Sequence, residues 1–374
     1  MNLADSPEQA GFRRRLRAWL SDNKPTGAMP DGLEDRHRYL VDWHKKLHRG
    51  GWIGLSWPSK YGGQGLGPVA EAIFGEELAR ADAPPGPLLG YIGRPLLQFG
   101  SEQQRQRYLA KMLASEELWC QGFSEPGAGS DLAALSTRAD DGGDDFVVTG
   151  QKIWTSYAQF ADYCLLLVRT SRAVPKHRGI SALIVDLHSP GVTVRPITQI
   201  TGDQEFCEVF FDGTRVPKIN LVGQLNGGWE IALTTMAYER GPVDIGYVAR
   251  YQVLLNRLRE ELVKCGPVPE DVQRKVASAS VMIDTLRLQC LRSLTRRAAG
   301  HPPGPDSSVD KLLMANTEQY LLHVVTEALG TEVLLGDNSW FNAYLYSRAA
   351  TIYGGTAQIQ KNILATRVLN LPRM

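Results

Sequence analysis

The apolar periodicity of this chain changes twice, and that change restricts its fold more than any other feature. Over residues 1–119 apolar residues recur at helical spacing. Phe12, Leu16, Trp19 and Leu20 make one stripe, Leu33, Leu40, Val41 and Leu47 a second, and Val69, Ile73, Phe74 and Leu78 a third. Ser6-Pro7-Glu8-Gln9 and the Ser101/Gln104 pair read as capping boxes that start two of these helices. From about 120 to 225 the pattern shortens to strand-like runs at 146–148, 163–168, 180–185, 192–194 and 206–211. Helical spacing returns after Asn226-Gly227-Gly228 and is broken once, at 301–306. Helices, then strands, then helices, with no βαβ alternation, argue against a nucleotide-binding parallel sheet. An α+β chain is predicted, with a helical domain over 1–119, a β domain over 120–225 and a helical bundle over 226–374.

With 374 residues the chain exceeds what one small core accommodates, and its net charge of +1 gives no electrostatic case for nucleic acid or an anionic membrane. No apolar run approaches the roughly 20 residues of a membrane span, so no span is expected. Cys120, Cys164, Cys207, Cys265 and Cys290 are scattered without metal-like spacing and read as reduced thiols of a cytoplasmic protein. His44 and His48 have the i, i+4 spacing of a helical metal pair. They lack a third ligand and flank Leu47 in an amphipathic helix, so no metal is expected.

Two segments carry chemistry. Ser124-Glu125-Pro126-Gly127-Ala128-Gly129-Ser130-Asp131 is a glycine turn whose Gly127 and Gly129 permit backbone angles that a Cβ disfavours and free N–H groups for a ligand. Lys152-Ile153-Trp154-Thr155-Ser156 sets a flat indole beside two hydroxyls. A glycine turn alone more often just joins strands, and a tryptophan alone is more often an ordinary strand aromatic. Together the two closely resemble the flavin cradle of the acyl-CoA dehydrogenase family, a resemblance that extends over essentially the whole chain.

That resemblance implies a helical N-terminal domain, a β-barrel-like middle domain and a C-terminal four-helix bundle, with FAD between the last two. It implies that Gln121, Phe123 and Ser124 face the pyrimidine side of the flavin. Trp154 would lie against the ring, Ser156 would reach its N5/O4 edge, and Thr155 would also contact the cofactor. Gly129 and Ser130 would meet flavin and the pantetheine arm of the substrate. Thr356 and Gln358 match the family's C-terminal flavin contacts, and Tyr353, Gly354 and Arg240 border the substrate. The implied reaction removes an α-proton from an acyl thioester and transfers a β-hydride to the flavin. An α C–H is a poor acid, so such chemistry needs a carboxylate held in a dry pocket.

In many relatives that carboxylate is the glutamate of a Tyr-Glu-Gly-Thr segment. This chain has Tyr353-Gly354-Gly355-Thr356, and glycine takes no proton. Long-chain and isovaleryl-type members instead place the base in an earlier Glu-Arg pair, and Glu239-Arg240 matches it. Ala232, Met236, Glu239 and Val243 share one helix face, which sets Glu239 in an apolar stripe, and Pro242 should kink the helix just past it. A structural ion pair is the bland account of such a glutamate; the coincidence with Gly354 favours catalysis.

Some features depart from the family. Its Arg-x-x-Phe-Gly segment is not recognisable between Tyr251 and Arg274. Glu327 stands where a flavin-contacting glutamine is usual, a position unfavourable beside pyrophosphate unless the carboxylate points away or pairs with a base. The resemblance implies acyl-CoA or an acyl carrier protein as substrate and an electron-transfer flavoprotein as acceptor. It implies a homo-tetramer or dimer, with a hetero-tetramer of the actinobacterial type also open. Two rivals share the fold: a non-catalytic partner subunit and a flavin monooxygenase.

Overall fold

The computed structural model describes residues 4–85, 92–172, 175–239, 244–264, 266–335 and 339–372. Among the described residues five α-helices precede the strands: α1 (Pro7–Asn23), α2 (Leu33–Arg49), α3 (Pro68–Arg80), α4 (Gly93–Phe99) and α5 (Glu102–Leu113). Both capping boxes form. Ser6 Oγ accepts from Gln9 N at 3.2 Å, and Ser101 Oγ from Gln104 N at 3.1 Å, each glutamine side chain accepting in return from its cap's N–H. In α1 the buried face is Phe12, Leu16 and Leu20; in α2 it is Leu40, Trp43 and Leu47, with Trp43 taking the place expected of Val41.

The strands are β1 (Trp119–Gly122), β2 (Arg138–Asp141), β3 (Asp145–Ser156), β4 (Tyr163–Arg169), β5 (Ile180–Asp186), β6 (Val192–Ile197), β7 (Phe206–Pro217) and β8 (Leu221–Val222). They form one sheet in the order β6-β7-β3-β2-β4-β5-β8, with β1 added parallel to β4. The five apolar runs read from the sequence are all strands. Three further strands are too short or too polar to announce themselves: β1 has four residues, β8 two, and β2 reads Arg-Ala-Asp-Asp.

After the sheet come α6 (Gly228–Glu239), α7 (Asp244–Lys264), α8 (Glu270–Ala298), α9 (Ser307–Leu329), α10 (Glu332–Leu335), α11 (Ser339–Ser347) and α12 (Ala357–Ile363). The chain divides into two compact units. One comprises Pro30–Gln64 and Pro87–Glu239, and so holds α2, α4, α5, the sheet and α6. Its core includes Val148, Cys164, Leu166, Val185, Val209 and Phe211. The other comprises Met1–Met29, Gly65–Gly86 and Arg240–Met374. In it Arg13 and Arg17 of α1 pair with the buried Glu77 of α3, while α7, α8 and α9 pack around Leu255, Ile283, Leu286 and Leu321. Helices of the N-terminal block thus contribute to both units. Among the described residues no helix is long and apolar enough to cross a membrane.

The seat of α6 matters most for the site. Asn226 adopts φ 65°, its N–H donates to Ser181 Oγ at 2.8 Å, and its Oδ1 accepts from Thr170 Oγ1 at 2.7 Å. These bonds lay the helix start directly on β5: a Cβ at Gly228 would stand 2.5 Å from the Ser181 carbonyl carbon. Gly228→Ala should therefore cost about 1–3 kcal/mol by overpacking against backbone that cannot retreat. Urea unfolding of the variant beside wild type measures this directly.

Candidate active site

The two motifs are sewn together. Ile153 N donates to Ser124 O at 3.0 Å, and Lys152 Nζ donates to Phe123 O at 3.1 Å and to Glu125 Oε1 at 2.8 Å. Lys152 is fully buried and Glu125 nearly so. The Glu125 carboxylate also accepts from Ser136 N (2.6 Å), Ser136 Oγ (2.8 Å) and Thr137 N (2.8 Å). Burial works against ionisation of Glu125. The Lys152 charge and these hydrogen bonds outweigh it and pull the carboxyl down to about 2. Burial likewise pushes the Lys152 ammonium below its ordinary value, against the pull of Glu125. The turn itself closes through Ala128 N to Glu125 O at 3.0 Å.

This stitch fixes what faces outward. Lys152 lies on the inward parity of β3 set by Val148. The register with β7 then shifts between Lys152 and Thr155, a bulge that re-aims the next side chains. Trp154 adopts φ 60° and turns out, 56% exposed, edge-on to Phe206 at 6.2 Å between centroids. Thr155 turns in, 1% exposed, and its Oγ1 has no hydrogen-bond partner among the described residues. Gln121 Oε1 on β1 is also buried without a partner. Such orphaned buried atoms are rare in folded proteins and mark places built to meet something else.

The glycines need a correction. Neither Gly127 nor Gly129 has a positive φ, so their backbone angles do not require glycine. A Cβ at either would meet nothing within 4 Å among the described residues, so both border open space. Gly122 is the glycine that packing demands here, because a Cβ would stand 2.8 Å from both Cys164 Sγ and Leu166 Cδ1.

Glu239 is the last residue of α6, in the same compact unit as the stitch. Ala232 on its expected face is fully buried and Met236 half-buried. The Glu239 side chain, Arg240, Pro242 and Val243 lie outside the described residues. The turn before them is anchored: the Arg94 guanidinium of α4 stacks on the Tyr238 ring at 5.1 Å and hydrogen-bonds Ser56 Oγ.

Tyr353, Gly354, Thr356 and Gln358 belong to the other unit. Gly354 and Gly355 have φ 62° and 92°, left-handed angles that favour glycine regardless of any pocket. Thr356 caps α12, its hydroxyl accepting from Ile359 N at 3.2 Å, and Gln358 is exposed. Gln360, which the sequence did not single out, is fully buried and donates to the Gly354 and Gly355 carbonyls at 3.2 and 3.3 Å. The buried Lys311 reaches Ala350 O at 2.9 Å and stands 4.1 Å from the Tyr353 ring centroid. Glu327 pairs with Lys275 at 2.9 Å, so its charge is neutralised locally. His44 is set against the Leu113 carbonyl at 2.9 Å, and burial pushes its ring down to about 4, which suits a neutral donor in the helix packing.

Comparison with known proteins agrees with this arrangement. Three family models match in order: acyl-CoA dehydrogenase N-terminal domain over 6–116, middle domain over 120–214 and C-terminal domain over 226–369. The chain is 38% identical over 384 residues to acyl-CoA dehydrogenase IpdE1 of Mycobacterium tuberculosis, covering 97% of each. Among solved structures it resembles the Tcur3481-Tcur3483 steroid ACAD, with TM-score 0.86, 28% identity and 100% of each chain covered. It also resembles the ChsE4-ChsE5 complex from Mycobacterium tuberculosis, with TM-score 0.84, 30% identity and 100% of each chain covered. The chain belongs to the acyl-CoA dehydrogenase family. It is an oxidoreductase acting on acyl-CoA, in a family whose members are flavoproteins.

Glu125→Gln should destabilise the protein by about 3–5 kcal/mol, because it leaves a buried ammonium without its counter-charge. Since the folded-state carboxyl sits below its ordinary value, its contribution is complete above about pH 4.5 and is lost as pH falls toward about 2. Thermal unfolding across that window should show a shallower acid limb for the variant than for wild type.

Proposed function

We propose that this chain desaturates an acyl thioester between its α and β carbons, using FAD, with Glu239 as the base. The observation that carries the reading is the stitch of Lys152 and Ile153 to Phe123, Ser124 and Glu125, which gathers both motifs onto one surface. That surface offers an outward indole at Trp154, orphaned polar atoms at Gln121 and Thr155, and open space over Gly127 and Gly129. A flat, polar-edged ring fits such a set. In this reading Trp154 lies against the ring, while Gln121, Phe123, Ser124, Thr155 and Ser156 meet its edge. Gly129, Thr356 and Gln358 also contact the cofactor. Bound flavin would supply the two-electron acceptor for the departing β-hydride.

The chain's own residues handle the proton. Glu239 takes it from the α carbon, at the end of a helix whose Ala232 is buried and whose Tyr238 ring is covered by the Arg94 guanidinium. Ser130 guides the thioester arm, with Arg240, Tyr353 and Gly354 bordering the acyl group. The steroid ACAD among the structural relatives favours a bulky polycyclic acyl group as substrate. Both solved relatives are pairs of chains by name, Tcur3481-Tcur3483 and ChsE4-ChsE5, which favours assembly with a second chain. We place the enzyme in the cytoplasm, reoxidised by an electron-transfer flavoprotein.

Anaerobic mixing with straight-chain, branched and steroid side-chain acyl-CoAs tests the reading through bleaching of the flavin band. Wild type should bleach, fastest with the polycyclic substrate. Glu239→Gln should retain flavin and bleach about 10²–10⁴-fold more slowly. Unchanged bleaching in that variant would remove Glu239 from the mechanism.

A further inference from the structure

The helical bundle holds a buried carboxyl that the proposed dehydrogenation does not use. Glu318, in the middle of α9, faces Tyr251 of α7, and both belong to the same compact unit. Tyr251 is 3% exposed, and the Oε2 atom of Glu318 is buried. The two groups stand close enough to influence each other's ionisation. Yet neither Tyr251 Oη nor Glu318 Oε2 makes a hydrogen bond of proper geometry among the described residues. Burial raises the Glu318 carboxyl above its ordinary value and so favours the uncharged form; the Tyr251 hydroxyl, Lys311 and Arg348 offset this only in part.

The nearby cations are committed elsewhere. Lys311, on the same face of α9 two turns before Glu318, is held by Ala350 O and the Tyr353 ring. Arg348 donates to Ser347 Oγ at 2.8 Å and to Tyr344 O at 3.2 Å. Tyr353 and Tyr247, the latter one turn before Tyr251 on α7, both act electrostatically on the Tyr251 hydroxyl. Tyr353 is the residue assigned above to the border of the acyl group, so the unpartnered pair has that border as its neighbour. A buried glutamate is ordinarily ion-paired, and a trapped water ordinarily fills a polar gap. Glu318 forms no ion pair among the described residues. What favours the substrate over a water is the presence of Tyr353.

We propose that Tyr251 and Glu318 recognise a carbonyl oxygen of the acyl group other than that of the thioester, which makes them specificity residues for a ketone-bearing acyl chain. The inference rests on the dehydrogenase reading, since it takes Tyr353 as a border of the acyl group. A carbonyl oxygen accepts two hydrogen bonds, and a phenol and an uncharged carboxyl each donate one. A purely apolar acyl group leaves both donors buried and unsatisfied. That is how a site built to hydrogen-bond its substrate rejects an analogue lacking the matching group.

Calorimetric binding of a panel of tetracyclic 2-enoyl-CoAs, without a ketone and with one on each ring in turn, tests the inference on the flavin-loaded enzyme. Enoyl thioesters have already lost the α and β hydrogens, so they bind without turnover. Wild type should bind one of the keto compounds about 10–100-fold more tightly than the ketone-free one. Tyr251→Phe and Glu318→Leu should each remove most of that preference and leave the ketone-free compound bound as before. Glu318→Gln, whose amide still donates, should keep most of it. Without ligand, Glu318→Leu should melt no lower than wild type, since it removes an unsatisfied buried group. Equal binding of the whole panel by wild type, or a ketone preference that survives in Tyr251→Phe and Glu318→Leu, would overturn the inference. So would variants that lose stability and bind every compound more weakly by the same factor, the mark of a structural water. The saturated counterparts separate this from the dehydrogenase reading. A ketone preference without any bleaching would reject the dehydrogenation and leave the recognition pair standing, and bleaching without a ketone preference would do the reverse.

Discussion

A buried lysine and glutamate hold the chemistry-bearing part of this molecule together. Lys152 and Glu125 are separated by 2.8 Å in surroundings that admit almost no water. Desolvating two charges costs several kcal/mol per ion, and attraction alone seldom recovers it. The cost is offset by further hydrogen bonds: Ser136 N, Ser136 Oγ and Thr137 N donate to the carboxylate, and Phe123 O accepts a second proton of the ammonium. A hydrophobic pair of the same volume would be as stable, but it would not fix the turn against the strand in a single register. The register is what matters, since one residue of slip exchanges the faces of a strand. The bulge after Lys152 turns Trp154 out and Thr155 in.

The helix that ends in Glu239 is fixed by a related logic. Its start is seated by Asn226 on Ser181 and Thr170, and its last turn is held by Arg94 on Tyr238. For the proposed base such rigidity counts, because misplacement by about an ångström costs orders of magnitude in rate. Gly354 belongs to this account in a limited way. Its left-handed backbone gives glycine a local reason, independent of where the base resides.

Much of this was legible in the sequence, and the exceptions are instructive. The change of periodicity located the sheet, because strands such as 163–169 and 180–186 are buried on both faces and read as unbroken apolar runs. β2 stays hidden because it is short and polar, although it forms a tight hairpin with β3. The role of Lys152 could have been found by parity, since it falls on the same face of the strand as Val148; the motif drew attention to the tryptophan instead. Bulges are long-range features set by the neighbouring strand, so the outward turn of Trp154 was not readable locally. Gly127 and Gly129 were read as backbone devices and prove to be open surface. Thr356, expected at a ligand, caps a helix through its hydroxyl.

If the cradle depends on the buried pair, flavin affinity and fold stability must share one coupling. A double-mutant cycle across Glu125 and Lys152 (Gln and Met, singly and together), read by flavin dissociation constant and by unfolding free energy, measures this. The account predicts that each single substitution weakens flavin binding as well as stability. The double variant should recover much of the stability, giving a clear coupling term in both readouts. Single variants that lose stability but bind flavin as tightly as wild type would contradict it.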